Sequence, residues 1–152
     1  MRIKCALATA ISAACLALLY SSPASACDDF VSGVLSRAVA PAIEGLGCAG
    51  IGQAGLDQAD HHLTSLCYES AGATSKVTMT ASLTCKTSDA AFIRKSLSEN
   101  LTAVAEVRGA DCQILSLDVK ASGAVGELLV KAFNVQGIAR AKLQEALSKI
   151  CK

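Results

Sequence analysis

The stretch KVTMTASLTCK, residues 76–86, decides the fold. Apolar side chains stand at Val77, Met79, Ala81, Leu83 and Cys85, and polar ones at every position between them. Side chains on a strand point to opposite faces with period two, so this pattern predicts a strand with one buried face and one Thr-rich wet face. The cysteine near its end predicts that the sheet is stapled to another part of the chain.

Downstream, Ser88 and Asp89 read as a helix start, and Phe92, Ile93 and Leu97 follow at helical spacing as far as Asn100. Leu101, Ala103, Ala105 and Val107 then alternate as a second strand. Gly109-Ala110-Asp111 is a turn, and a third strand runs from Cys112 to Ala121 with Leu115, Leu117, Val119 and Ala121 on one face. Strand–helix–strand predicts a parallel crossover, hence a mixed sheet. That arrangement would bring Cys85 and Cys112 to one edge as a disulfide. Residues 124–136 read as a helix through Val125, Leu128, Leu129, Ala132 and Phe133, with a fourth strand over 128–135 as the alternative. Ile138 to Cys151 reads as a helix.

Upstream, Asp28 and Asp29 open a helix carrying Phe30, Val31, Val34, Leu35, Ala38 and Val39, which Pro41 should end or kink. Gly50, Gly52 and Gly55 form a G-x-G-x-x-G pattern. It follows a helix rather than a strand, so a linker is the better reading than a dinucleotide cradle. A second helix is predicted from Leu56 to Tyr68 on the spacing of Leu56, Ala59, Leu63 and Leu66. On a helix, Asp57 and His61 would share a face, but two groups fall short of a metal site, and no metal or other cofactor is expected.

The first 26 residues read as a secretory signal peptide: Arg2 and Lys4, an apolar run from Cys5 to Tyr20, and Ala24-Ser25-Ala26 before the cut. Residues 27–152 form one domain of ordinary size. Loss of Arg2 and Lys4 from the 14 basic residues leaves 12 against 13 acidic ones, without clustering, so nucleic acid is not an expected partner. No further segment reads as membrane-spanning. Of the eight cysteines, Cys5 and Cys15 leave with the signal. Cys27, Cys48, Cys67, Cys85, Cys112 and Cys151 remain, an even set that predicts three disulfides in a secreted or periplasmic protein. The competing reading lipidates Cys27 directly after the cut. Asn100-Leu101-Thr102 is a glycosylation acceptor in a eukaryotic setting.

The expected fold class is therefore α+β. Two N-terminal helices precede a small mixed sheet of three strands, or four if 128–135 is extended. A helix joins the first two strands, a C-terminal helix closes the chain, and three disulfides tie it together.

No catalytic motif is present, and the carboxylates are scattered as on a solvated surface, so an enzyme is the lesser expectation. The whole chain has no Trp and only three Phe, which leaves few aromatic anchors for a protein interface. Its aliphatic side chains can instead enclose an apolar cavity. The leading expectation is a secreted binder of a small apolar ligand of the lipid or sterol class. Its expected lining is Val77, Met79, Leu83, Phe92, Leu115, Leu117 and Phe133. The alternatives are an exported protein-interaction module such as an inhibitor or effector, and a small hydrolase with His61 or His62 in a cleft. Cys27 after the signal, Cys85-Lys86-Thr87, and Asp111-Cys112 with Ser122-Gly123 resemble the elicitins, which are exported six-cysteine proteins. That resemblance implies a sterol ligand, although elicitins place mostly helix where this chain has its clearest strand.

Overall fold

The computed structural model describes residues 26–48, 55–123, 126, 127, 130, 131 and 134–151. Helix α1 (Asp29–Glu44) is followed by strands β1 (Gln58–Ala71), β2 (Thr74–Lys86), β3 (Ser96–Arg108) and β4 (Ile114–Ala121), and then by helix α2 (Val135–Ile150). The α+β class is the one expected. The sheet differs in detail: it has four strands in the order β1-β2-β3-β4, and every neighbouring pair is antiparallel. It is thus a meander rather than a mixed sheet.

β2 fulfils its pattern. Val77, Met79, Ala81, Leu83 and Cys85 are all buried, and the residues between them are not. The inner face meets the two helices through Leu35 and Val39 of α1 and Leu143, Ala146 and Leu147 of α2. At the other end of the strand, Gly72 takes φ +71° in the two-residue turn that joins β1 to β2. A tight hairpin favours glycine there because it needs a positive φ.

The predicted helix over residues 56–68 is in fact β1, an edge strand. Leu63 pairs with Ala81 but Ser65 pairs with Thr80, so Thr64 is an extra, bulged residue. Before the bulge, His61 and Leu63 face inward; after it, Leu66 and Tyr68 do. This shift of phase leaves Leu63 and Leu66 three apart, which imitates helical spacing. The predicted helix after Ser88 is instead a connection over residues 87–95, and β3 begins at Ser96. α1 also runs one turn past Pro41, to Glu44, and the Gly45 amide donates to the Pro41 carbonyl. Its start is as expected, with the Asp28 carboxylate accepting from the Val31 amide at 2.9 Å. Between β4 and α2, Gly126, Glu127, Val130 and Lys131 are helical, in line with the helix reading of that segment.

The disulfides are Cys27–Cys67, Cys48–Cys85 and Cys112–Cys151. The expected Cys85–Cys112 pair is overturned because it relied on a parallel crossover that does not exist. Cys27 is consumed in a disulfide, which leaves no free thiol there for a lipid. Each bridge closes a loop of about 40 residues. In the chain-entropy account a loop of that length stabilises by roughly 4 kcal/mol. No helix among the described residues is long and apolar enough to cross a membrane.

Part of each free edge of the sheet is capped by helix side chains or helix ends. On β1, the Tyr68 amide donates to Ser32 Oγ, and the Tyr68 carbonyl accepts from the Asp28 amide. On β4, three residues at four-residue spacing in α2 take the exposed backbone. Gln136 and Arg140 donate to the Leu117 and Ile114 carbonyls, and Gln144 bridges the Ile114 amide and the Cys112 carbonyl. Such capping prevents edge-to-edge pairing with other chains. Gln144→Leu should cost about 1–3 kcal/mol, because it leaves two partly buried backbone groups without partners. Urea unfolding checks this, and wild-type stability in the variant would contradict the edge-capping account.

Candidate functional site

The helices do not fill the space above the sheet. A cavity of about 50 Å3 lies between them and the inner face. α1 and the residues after it contribute Val39, Ala42, Ile43 and Leu46. β2 contributes Met79, Ala81 and Leu83, β3 contributes Leu101 and Ala103, and β4 contributes Val119. α2 closes it with Val135, Ile138, Ala139 and Lys142. Four alanines from four different elements (Ala42, Ala81, Ala103 and Ala139) converge there, and their short side chains cannot span the gap between helix and sheet. A water needs about 10–15 Å3 in this measure, so the space suits three to five water-sized groups, or a short run of methylenes. An apolar wall gives water nothing to bond, and such cavities accept apolar guests.

Among the described residues of the lining, Lys142 is the one polar side chain. Its side chain is half exposed, which places the stem along the cavity and the ammonium at the surface. It shares the Glu145 carboxylate with Lys149, at 3.3 and 3.0 Å. These contacts, Lys149 first, hold the Glu145 carboxyl below its usual range. Two ammonium groups against one carboxylate leave one positive charge in excess at the rim.

Of the expected lining, Met79 and Leu83 are at the cavity. Val77 and Leu117 are buried in the adjoining core but do not line it. Leu115 is 43% exposed, because a bulge at the start of β4 sets Ile114 opposite Val107 and Ser116 opposite Glu106, with Leu115 the extra residue between them. Phe92 is fully exposed in the 87–95 connection. Phe133 lies outside the described residues, as do Gly50 and Gly52 of the glycine pattern. The contributions of α1 and of Leu101 and Ala103 were not singled out from the sequence. Their one signal was the recurrence of alanine at inward positions, which also fits an ordinary core.

A second cluster gathers Cys48, His61 and Cys85, all buried. His61 Nδ1 accepts the Thr84 amide at 3.0 Å, so in the neutral ring Nε2 carries the proton. Nε2 lies 3.8 Å from Cys48 Sγ. The two sulfurs are bonded to each other, and a protonated Nε2 has no lone pair for an ion. This arrangement does not fit a metal centre. Asp57 precedes β1 and shares no helix face with His61, while His62 points to the solvent side.

Comparison with known proteins gives one family, described as Y4fE, which matches residues 31–151. The chain is similar to a protein of Sinorhizobium fredii (strain NBRC 101917 / NGR234) whose printed name is "Uncharacterized protein y4fE". The two are 45% identical over 69 residues, a stretch that covers 45% of this chain and 43% of the relative. No solved structure matches. The elicitin likeness gains nothing from these findings, since the sheet occupies the region where elicitins are mostly helical.

Burial lowers the His61 pKa from its ordinary value of 6.5. The folded protein therefore holds a neutral ring that the unfolded chain would protonate first. Stability from this group is full above about pH 6.5, declines as pH falls below that value, and is lost once pH is below the folded pKa. Thermal melts from pH 8 to pH 5 should show this decline, and His61→Gln should flatten it. An unchanged decline in the variant would place its origin elsewhere.

Proposed function

This chain belongs to the Y4fE family, and we propose that it is an exported binding protein for a short aliphatic chain carrying an acidic head. The observation that carries this reading is the four-alanine cavity between the helices and the sheet. Its size suits a flexible run of methylenes better than a rigid sterol ring system. Lys142 at the rim supplies the charge that a carboxylate head would meet. Three disulfides support maturation in an oxidising compartment, where such bonds persist. The signal-like residues 1–26 support delivery there.

Calorimetric titration with octanoate and with octanol tests the reading. Ala81→Leu adds three carbons inside the cavity and should weaken both ligands at least about tenfold, since each displaced methylene is worth ~0.8 kcal/mol. Lys142→Gln should weaken octanoate and leave octanol unchanged. Binding that is indifferent to Ala81→Leu in a folded variant would sink the cavity assignment. Equal effects of Lys142→Gln on both ligands would remove the acidic head.

A further inference from the structure

The connection from β2 to β3 carries a feature that the cavity does not use. Residues 87–95 form a loop closed at its base, where the Thr87 amide donates to the Lys95 carbonyl at 3.0 Å and the Lys95 amide donates to Thr87 Oγ1 at 3.1 Å. The Ala91 amide donates to the Ser88 carbonyl and forms a further turn inside it. From this closed base the chain projects Phe92 and Ile93, which are 103% and 64% exposed. They are two of the four large apolar residues exposed among the described part of the chain. Phe92 is as open as it would be in an unfolded peptide, so no packing within the chain accounts for its position.

Arg94 and Lys95 follow at once, both exposed. Neither is in a salt bridge among the described residues, whereas Lys86 at the foot of the loop is bound to Asp60 at 3.1 Å. Asp89 is the one carboxylate of the loop. An aromatic and a branched aliphatic side chain at a protruding tip, with two cations beside them, match the boundary of an anionic bilayer. The apolar pair enters the acyl boundary, and the cations meet the phosphate layer.

We infer that the 87–95 loop anchors this protein reversibly to the surface of anionic phospholipid membranes, through Phe92 and Ile93 with Arg94 and Lys95. The anchor does not rest on the cavity, since none of these four residues lines it. It is a surface contact, distinct from a span.

Co-sedimentation of the oxidised protein with vesicles tests it. Vesicles of equal phosphatidylglycerol and phosphatidylcholine should carry the protein down, and phosphatidylcholine alone should carry little. Phe92→Ser with Ile93→Ser should lower partitioning at least about tenfold, and Arg94→Gln with Lys95→Gln should lower it by about the same factor and weaken its salt dependence. All four side chains are exposed, so the variants should keep the wild-type circular dichroism and melting temperature. Wild-type protein that stays in the supernatant with anionic vesicles would overturn the anchor. So would equal binding to both vesicle types, or folded variants that bind as the wild type does.

Discussion

The structure depends on covering the inner face of β2. Val77, Met79, Ala81, Leu83 and Cys85 present one unbroken apolar row, and among the described residues no second sheet is available to bury it. Helices must do so: α1 and α2 from opposite ends of the chain, with Val130 of the helical segment before α2 packed against Leu83 and Leu101. They meet the sheet through Leu35, Val39, Leu143 and Leu147 at one level, where the packing closes. At the next level the sequence offers alanines from both helices and both central strands, and the packing leaves a cavity. Large-to-small choices in a core ordinarily cost stability because the surrounding atoms collapse only in part. Four such choices at one place are coherent if a guest completes the layer.

The rest of the framework restrains the helices that cover this face. Cys27–Cys67 ties the start of α1 to β1, and Cys112–Cys151 ties the end of α2 to the start of β4. Cys48–Cys85 holds the segment after α1 against the end of β2, two residues from Leu46 and Leu83 at the cavity. The edge bonds from Ser32, Gln136, Arg140 and Gln144 fix the same elements by a second, non-covalent route. The loop that carries Phe92 leaves β2 just beyond Leu83, so the proposed membrane contact and the proposed ligand space are near in sequence.

β2 was legible residue by residue because nothing interrupts its alternation. The hairpin of β3 and β4 and both long helices were legible from their periodicity, except that the bulge at the start of β4 turned Leu115 out of the inward set. β1 was not, because the bulge at Thr64 moved the inward set from His61 and Leu63 to Leu66 and Tyr68. A bulge leaves no local mark in the sequence; only the register of β2 reveals it. The 87–95 loop misled through a genuine cap signal at Ser88 and Asp89 followed by Phe92 and Ile93, which the chain exposes rather than buries. The second of these errors generated a false crossover, and the false crossover generated the false Cys85–Cys112 pair. Of the site, Met79 and Leu83 were readable from the strand pattern. The alanines were not, since a small inward residue fits a filled core and an empty one equally well.

Native mass spectrometry of the protein recovered from its own host tests the central claim most directly. The account predicts a chain beginning at Cys27, six hydrogens lighter than its reduced mass, with an adduct of aliphatic-acid size that is lost on denaturation. A bare native mass from freshly recovered protein, with none of that adduct, would contradict a ligand-binding role for the cavity.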